Sequence, residues 1–310
     1  MNKPAVSILM NCFNGELFLK EAIQSVINQS FRDWELIFWD NRSNDKSAEI
    51  FHSFSDNRLK YYLSKNHTQL GEARKRAYEK SNGSFIAILD TDDVWESTKL
   101  EKQITYFDDV KVGIVISNAY FFNEKGRKTL YDTKPPQGWV FKDLLENYFV
   151  CLVTLVFKRS FVEKLTHQFD PDFNFISDFD LVLRLSKISK LKYHNETLGG
   201  WRVHGGNDTF KSPYSFVEET NRWINKQLRL NVLDKEFHKI PLRKLINVNN
   251  RQIAIFELIK GKRINCIKKI IFQEHKTIKD YIIFLIAFFY VNRKIIKHFY
   301  YKRISLGLLN

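Results

Sequence analysis

The chain has 310 residues, of which 44% are hydrophobic and 15% aromatic, so it can bury a sizeable core and is not disordered throughout. Its three scattered cysteines, Cys12, Cys151 and Cys266, exclude a disulfide framework and a CxxC metal site and favour a reducing compartment. The net charge of +14 is uneven, since residues 221–310 carry a net +15 and residues 1–220 a net −1, which predicts an anionic partner for the last third.

The first part of the chain alternates between strand and helix patterns. Runs rich in β-branched and aromatic residues predict strands at 6–10, 35–40, 59–63, 85–89 and 112–117. Helical spacing of apolar residues predicts helices between them, at 16–28, 47–54 and 71–80. The first apolar run is too short for a signal peptide and predicts a strand. The alternation predicts an α/β fold with a mostly parallel sheet and helices on both faces.

Residues 118–175 are less regular, and only VTLVF at 153–157 predicts a further strand there. The segment DFDLVLRLSK at 178–187 predicts a helix, with Asp178 near its start, and WRVHGGN at 201–207 closes the body. Long helical patterns rich in Ile, Leu, Phe, Lys and Arg follow. We therefore predict a first domain at 1–214 and a basic, amphipathic helical region at 215–310.

Acidic residues stand at the ends of two predicted strands. Asp40 ends the second strand, and Asp90, Asp92 and Asp93 follow the fourth within four positions. In α/β sheets, ligands bind beyond the carboxyl ends of the strands. A D-x-D-D pattern suits Mg²⁺ or Mn²⁺, which would relieve the repulsion among the carboxylates and neutralise charge on a departing diphosphate. The alternative is a solvated acidic turn beside the next helix.

Five stretches in order resemble family 2 glycosyltransferases of the GT-A fold, of the bacterial surface-polysaccharide type. They are VSILMNCFNG (6–15), AIQSVINQSFRDWELIFWDNRSND (22–45), LGEARKRAYEKSNGSFIAILDTDDVW (70–95), ISDFDLVLRL (176–185) and WRVHGGN (201–207). The resemblance covers about the first 205 residues. It implies a Rossmann-like GT-A domain that binds a nucleotide-sugar donor. Among such donors we expect a UDP-sugar.

The resemblance also implies roles for the donor-binding and catalytic residues. Asp40 would accept a hydrogen bond from the nucleotide base, or else only cap a helix. Arg74 would reach the nucleotide or its phosphates, or else be an exposed helix cation. Asp90 would frame the ribose and the metal, and Arg202 would lie beside the diphosphate. Asp178 would be the general base that deprotonates the acceptor hydroxyl, or else an acidic residue at a helix N-terminus.

The implied metal ligands are Asp92, Asp93 and His204. His204 would alternatively lie beside the diphosphate or be structural, as most single histidines are. The chain also departs from the family pattern in two places. Asn41 and Arg42 replace a second acidic residue and a common glycine, and Ser177 replaces a glutamate that often precedes the base. Neither departure removes the implied base or metal ligands.

The implied reaction is an inverting transfer of a sugar by a single displacement, with no second carboxylate as nucleophile. A nucleotidyltransferase is one alternative. It would be expected to have a glycine-rich phosphate loop with a lysine after the first strand, whereas the loop NCFNGE at this place has one glycine and no lysine. A non-catalytic carbohydrate- or lipid-binding protein is another, and an Asp178→Asn variant would separate it from an enzyme.

The basic last third predicts an association with an anionic membrane surface. Residues 281–291, YIIFLIAFFYV, form an uncharged run of eleven, whereas a bilayer span takes about 20 apolar residues. Basic and aromatic flanks suit a helix in the membrane interface, although the helices could instead pack on the body. No nucleic-acid reader motif is present. We expect a cytoplasmic enzyme, peripheral on the inner face of the cell membrane, with a glycan or lipid-linked acceptor.

Overall fold

The structure is a computed structural model, and it describes residues 3–230, 239–272, 276–289, 294–297 and 300. The chain divides into two compact units. One comprises Met1–Phe141 and Phe149–Val203, and the other comprises Lys142–Tyr148 and His204–Asn310. The division between residues 214 and 215 stays a prediction.

Within the described residues, the first unit is built on a nine-stranded sheet. Its strands are β1 (Val6–Cys12), β2 (Trp34–Asp40), β3 (Leu59–Leu63), β4 (Phe85–Ile88), β5 (Val94–Trp95), β6 (Val112–Asn123), β7 (Gly126–Thr129), β8 (Val156–Lys158) and β9 (Lys190–Arg202). The order is β3-β2-β1-β4-β8-β6-β9-β5, and β7 pairs with β6. Strands β3, β2, β1 and β4 are parallel, as the alternating pattern predicts.

The other half of the sheet is mixed. Strand β8 runs antiparallel to both β4 and β6, whereas β6 and β9 are parallel, and the short β5 is antiparallel to β9. The sequence patterns did not indicate β5, β7 or β9. In β9 two exposed residues, Asn195 and Glu196, fall where the register with β6 shifts, which interrupts the two-residue period of a strand.

The described part of the first unit contains seven α-helices. They are α1 (Leu19–Ile27), α2 (Ser47–His52), α3 (Leu70–Lys80), α4 (Lys99–Ile104), α5 (Phe141–Glu146, which continues into the second unit), α6 (Arg159–Val162) and α7 (Ser177–Ser186). All seven residues of β2 are buried. Since consecutive strand residues point to opposite faces, the sheet is packed on both sides and the predicted α/β architecture is confirmed.

The second unit is helical in its described part. Its helices are α8 (Asp208–Lys211), α9 (Pro213–Arg229), α10 (Lys239–Ile259), α11 (Arg263–Ile271) and α12 (Ile278–Phe288). Residues of α10, α11 and α12 share a small core of Ala254, Leu258, Cys266, Ile270 and Ala287. Among the described residues, no helix combines the length and hydropathy that crossing a bilayer requires. Tyr290 and Val291 of the predicted run, and residues 301–310, lie outside the described residues.

Candidate active site

Asp40 occupies the carboxyl end of β2, at the rim that the sequence predicts for ligand binding. It is 1% exposed, and its Oδ1 accepts a hydrogen bond of 2.7 Å from the backbone N–H of Ser43. Its Oδ2 accepts a hydrogen bond of 2.6 Å from the hydroxyl of Tyr61. Burial and the bond to Asp40 raise the pKa of Tyr61 well above its usual value, so this hydroxyl stays a donor. Asp40 is therefore fixed in position and does not cap α2, which begins at Ser47.

The backbone that follows Asp40 makes a tight turn. Arg42 has φ = 72°, in the left-handed region that favours glycine, so the glycine common at this position in the family has a conformational reason. The side chain of Asn41 is held by Thr68, whose backbone N–H donates to Asn41 Oδ1 at 3.1 Å and whose carbonyl accepts from Nδ2 at 2.7 Å. Asn41 thus fixes the loop before α3.

The three clustered aspartates form a turn beyond β4, and they differ in exposure. The backbone N–H of Asp93 donates to the carbonyl of Asp90 at 3.2 Å, which closes the turn. Asp93 is 2% exposed, whereas the side chain of Asp90 is 38% exposed. Loss of hydration raises the pKa of Asp90 to about 6; Arg74 opposes this, and the charges of Asp92 and Asp178 add to it.

Arg74 connects this turn with the predicted base. Its guanidinium is 3% exposed; Nη2 lies 3.3 Å from Asp90 Oδ1, and Nη1 lies 3.7 Å from Asp178 Oδ1. Nη1 also donates to the hydroxyl of Ser177 at 2.7 Å. The alternative of an exposed helix cation is therefore wrong. One buried cation holds the acidic turn and the start of α7 at the same place.

The packing of α3 explains how Arg74 reaches α7. The backbone N–H of Leu70 donates to Asn174 Oδ1 at 2.7 Å, and that of Gly71 donates to the carbonyl of Phe173 at 3.0 Å. A Cβ at Gly71 would lie 2.3 Å from the carbonyl oxygens of Asp170 and Phe173. Glycine therefore allows α3 to approach the segment before α7 closely, and Arg74 lies one helical turn further along.

The two aspartates at the start of α7 have different environments. Asp178 is 20% exposed and lies near Asp90, to which Arg74 also binds. Asp180 is 1% exposed and accepts hydrogen bonds from Nε and Nη2 of Arg184 at 2.9 and 2.6 Å. Asp180 therefore has a structural role, whereas part of the Asp178 side chain is exposed and an acceptor could reach it.

Arg202 ends β9 and binds the acidic turn directly. Its backbone N–H donates to Asp93 Oδ1 at 2.9 Å, and its Nε donates to the carbonyl of Asp92 at 2.9 Å. Its Nη2 donates to Glu21 Oε2 at 2.6 Å, and its guanidinium carbon lies 4.4 Å from the ring centres of both Phe18 and Phe122. Burial raises the pKa of Asp93, and the charges of Asp92 and Asp90 add to that shift.

His204 belongs to the second unit and lies in the turn before α8. Its Nδ1 accepts a hydrogen bond of 3.1 Å from the backbone N–H of Gly206, and its own backbone N–H donates to Asn207 Oδ1 at 2.7 Å. With Nδ1 as acceptor, the neutral ring carries its proton on Nε2. A protonated Nε2 suits a phosphate oxygen better than a metal ion.

The structure describes one group of three side chains whose ligand atoms all lie within 4.8 Å: His167, Asp170 and Asp180. Arg184 forms an ion pair with Asp180 and donates to the carbonyl of His167, so a cation already occupies this cluster. Asp90, Asp92 and Asp93 do not form such a group. Mg²⁺ and Mn²⁺ commonly take only one or two protein carboxylates, with phosphate oxygens and water completing the shell.

The sequence patterns missed several residues that organise this site. They are Phe18 and Glu21 of α1, which hold Arg202; Tyr61, which holds Asp40; Phe122, the second ring against Arg202; and Ser177, the partner of Arg74. Each acts across a distance in sequence, so local periodicity carries no signal for it. Only Ser177 stood out, because it departs from the family pattern.

Comparisons of the sequence with known proteins relate this chain to glycosyltransferases. The model of the family described as glycosyl transferase family 2 matches residues 7–170. An uncharacterised glycosyltransferase, MJ1057, of Methanocaldococcus jannaschii is 30% identical over 243 residues, which cover 73% of this chain and 82% of that protein. The Escherichia coli protein WfgD, named UDP-Glc:α-D-GlcNAc-diphosphoundecaprenol β-1,3-glucosyltransferase, is 30% identical over 169 residues, covering 54% of this chain and 66% of that protein.

A solved structure has the same fold. The mannosyltransferase PcManGT of Pyrobaculum calidifontis, in complex with GDP-Man and Mn²⁺, aligns over 96% of this chain and 84% of its own. The TM-score is 0.62 at 13% sequence identity, so the likeness concerns the fold alone. It confirms the GT-A fold class.

Proposed function

Because this chain belongs to glycosyl transferase family 2, we propose that it transfers a sugar from a nucleotide-sugar donor to a hydroxyl group of a glycan acceptor in cell-surface polysaccharide synthesis. The observation that carries this proposal is the guanidinium of Arg74, which lies against both Asp90 and Asp178. Arg74 thereby holds the carboxylate proposed for donor binding and the candidate base close together, as a reaction between two bound substrates requires.

The nucleotide would bind at the rim of the parallel strands. Asp40 has both carboxylate oxygens oriented by Ser43 and Tyr61, and each oxygen retains a lone pair that could accept a hydrogen bond from a base. Asp90 is exposed enough to contact the ribose. A UDP-sugar is the proposed donor, in line with the UDP-glucose that the name of the Escherichia coli relative specifies.

The acidic turn fits a divalent cation, Mn²⁺ or Mg²⁺. Its ligand atoms are all oxygens, and the pKa of Asp90 is raised to about 6 by loss of hydration and by neighbouring carboxylates, a cost that a cation would relieve. Asp92 would hold the ion, and Asp93 would support it from its buried position. Bound there, the cation would neutralise charge on the leaving diphosphate. His204 stays a predicted metal ligand, with a contact to the diphosphate as the alternative that the family resemblance implies.

Asp178 is the proposed general base. Its partly exposed carboxylate would accept the proton of the acceptor hydroxyl as the oxygen attacks the anomeric carbon. The bond from that carbon to the diphosphate breaks on the opposite face, so one displacement inverts the configuration. Arg202 would balance charge near the diphosphate while it holds the backbone of Asp92.

The acceptor is proposed to be lipid-linked, and the C-terminal region to bring the enzyme to the cytoplasmic face of the cell membrane. The name of the Escherichia coli relative specifies a diphosphoundecaprenol acceptor. The net charge of +15 over residues 221–310 supports attraction to an anionic surface.

The proposal is tested with Asp178→Asn, which removes the proton acceptor and keeps the size of the side chain. We expect the variant to bind UDP-sugars as the wild type does, by calorimetry with Mn²⁺, and to lose turnover by at least a hundredfold. Asp108→Asn, at an exposed position, is the matched control and should retain full activity. An Asp178→Asn variant with wild-type turnover would contradict the assignment of the base.

A further inference from the structure

Helix α12 presents an apolar face outward. The exposed side of the helix consists of five helical residues and the C-cap residue, namely Ile278, Tyr281, Ile282, Leu285, Phe288 and Phe289. Their spacing of three and four residues places them on one stripe along the helix. Individual exposures run from 49% for Leu285 to 79% for Ile278. We call this stripe the α12 face.

The opposite side of α12 holds the only carboxylate of the helix. Asp280 is fully buried and accepts hydrogen bonds from Nε and Nη2 of Arg251 at 2.7 and 3.0 Å. Burial opposes its ionisation, but the bonds from Arg251 and Thr277 hold the pKa of Asp280 down at about 2, so the pair stays charged. The helix therefore packs Asp280 and Ala287 inward and also presents large apolar side chains outward, where a helix that faces water would carry polar residues.

Positive charge surrounds this stripe in the chain. Residues 276–297 contain five lysines and arginines and one acid, and that acid is Asp280, already neutralised by Arg251. Lys279 at the start of α12 is exposed, as are Lys268 and Lys269 of α11, a helix that packs in the same small core. A surface that combines large apolar side chains with unneutralised lysines complements a bilayer with anionic head groups.

The length of the helix decides how it would meet a bilayer. Eleven residues of α-helix extend about 16 Å, roughly half of the hydrocarbon thickness of a membrane. The helix can thus lie in the plane of the interface with one face immersed, and it cannot cross.

We infer that the α12 face is a membrane-docking surface, which inserts Ile282, Leu285 and Phe288 into an anionic lipid monolayer while Lys268, Lys269 and Lys279 contact the head groups. The inference rests on the proposed function, because the enzyme would find a lipid-linked acceptor at the membrane surface. The inference does not depend on the residues of the proposed catalytic site, so the inference and the proposed function can fail separately.

Flotation of the full-length protein with vesicles tests the inference. Wild-type protein should float with vesicles of phosphatidylcholine containing 30 mol% phosphatidylglycerol, and much less with phosphatidylcholine alone. Leu285→Glu places a charge in the α12 face and should lower the vesicle partition coefficient at least tenfold. Val110→Glu adds the same charge at a 76% exposed position of the first unit and should float like the wild type. Lys268→Gln with Lys269→Gln should lower binding at least tenfold, at roughly fivefold per lysine.

Three results would overturn the inference. One is equal flotation of Leu285→Glu and wild type, and another is no wild-type flotation on anionic vesicles. The third is a discrete dimer in lipid-free analytical ultracentrifugation that Leu285→Glu abolishes, since the α12 face would then bind a second copy of the chain. Thermal melts show whether each variant is folded, and Ile282→Gln repeats the test without a new charge. Wild-type turnover of Leu285→Glu on a water-soluble acceptor would leave the proposed function standing whatever the flotation result.

Discussion

The guanidinium of Arg74 contacts two carboxylates, those of Asp90 and Asp178, and one hydroxyl, that of Ser177. Asp90 and Asp178 come from different elements, and each would repel the other without the cation between them. A buried arginine is costly unless its charge is compensated, and here two acids compensate it. We therefore expect Arg74 to contribute to stability and, through the proposed base Asp178, to turnover.

Arg74→Ala should lower the free energy of unfolding by about 2 kcal/mol or more, because it leaves two carboxylates without their cation. Turnover should fall as well, since Asp178 would lose the group that positions it. Arg76→Ala on the same helix is the control: Arg76 is 42% exposed and pairs with Glu72 of its own helix, so its loss should cost under about 0.5 kcal/mol. Urea denaturation measures both, and equal losses would contradict the role given to Arg74.

The pKa of Asp90 predicts an effect of pH on the metal-free protein. The folded protein holds this proton up to about pH 6, whereas an ordinary aspartate has a pKa of 3.8. The ionised carboxylate therefore costs stability above pH 6, and the cost disappears as the pH falls toward 4. In EDTA, Asp90→Asn should have a higher Tm than wild type at pH 7.5, and the difference should shrink by pH 5. A difference that stays constant over this range would refute the assignment.

At the scale of elements, the parallel half of the sheet and the site at its rim could be predicted, and the antiparallel half could not. Asp40 and Asp90 follow apolar runs that end abruptly, so local pattern alone places them at strand ends. Strand β9 carries polar residues and an irregular register, and β5 has two residues, so neither has a clear two-residue period. The bridge made by Arg74 depends on how α3 packs against the segment before α7, which no local pattern encodes.

Gly71 tests that packing. Gly71→Ala should destabilise the protein and reduce turnover, because the new methyl group would meet two carbonyl oxygens at 2.3 Å and push α3 away from α7. The clash outweighs the gain of about 1 kcal/mol that alanine brings to a helix. Gly205→Ala, where nothing lies within 4 Å of a Cβ, should be close to neutral. Thermal melts and donor-turnover assays measure the effects, and a fully active Gly71→Ala would show that the contact is dispensable.

At the scale of the whole molecule, charge is distributed unevenly along the chain. Residues 1–220 carry a net charge of −1 and contain Asp40, Asp90 and Asp178, whereas the last 90 residues carry a net +15. This asymmetry could be predicted from composition, but the position of the proposed membrane-docking surface could not. The apolar run at 281–291 has no helical period by itself, and the burial of Asp280 and Ala287 shows which side of α12 faces out.

Because of the register shift in β9, the number of residues in this part of the strand matters more than which amino acids they are. Ser117 pairs with His194 and Asn118 with Thr197, so Asn195 and Glu196 bulge from the ladder before Arg202 reaches the acidic turn. Either bulged residue could be replaced at little cost. Deleting one would invert every later side chain of the strand and turn Arg202 away from Asp92. We therefore expect related proteins to keep two residues at this place in the strand, although the amino acids at these two positions differ.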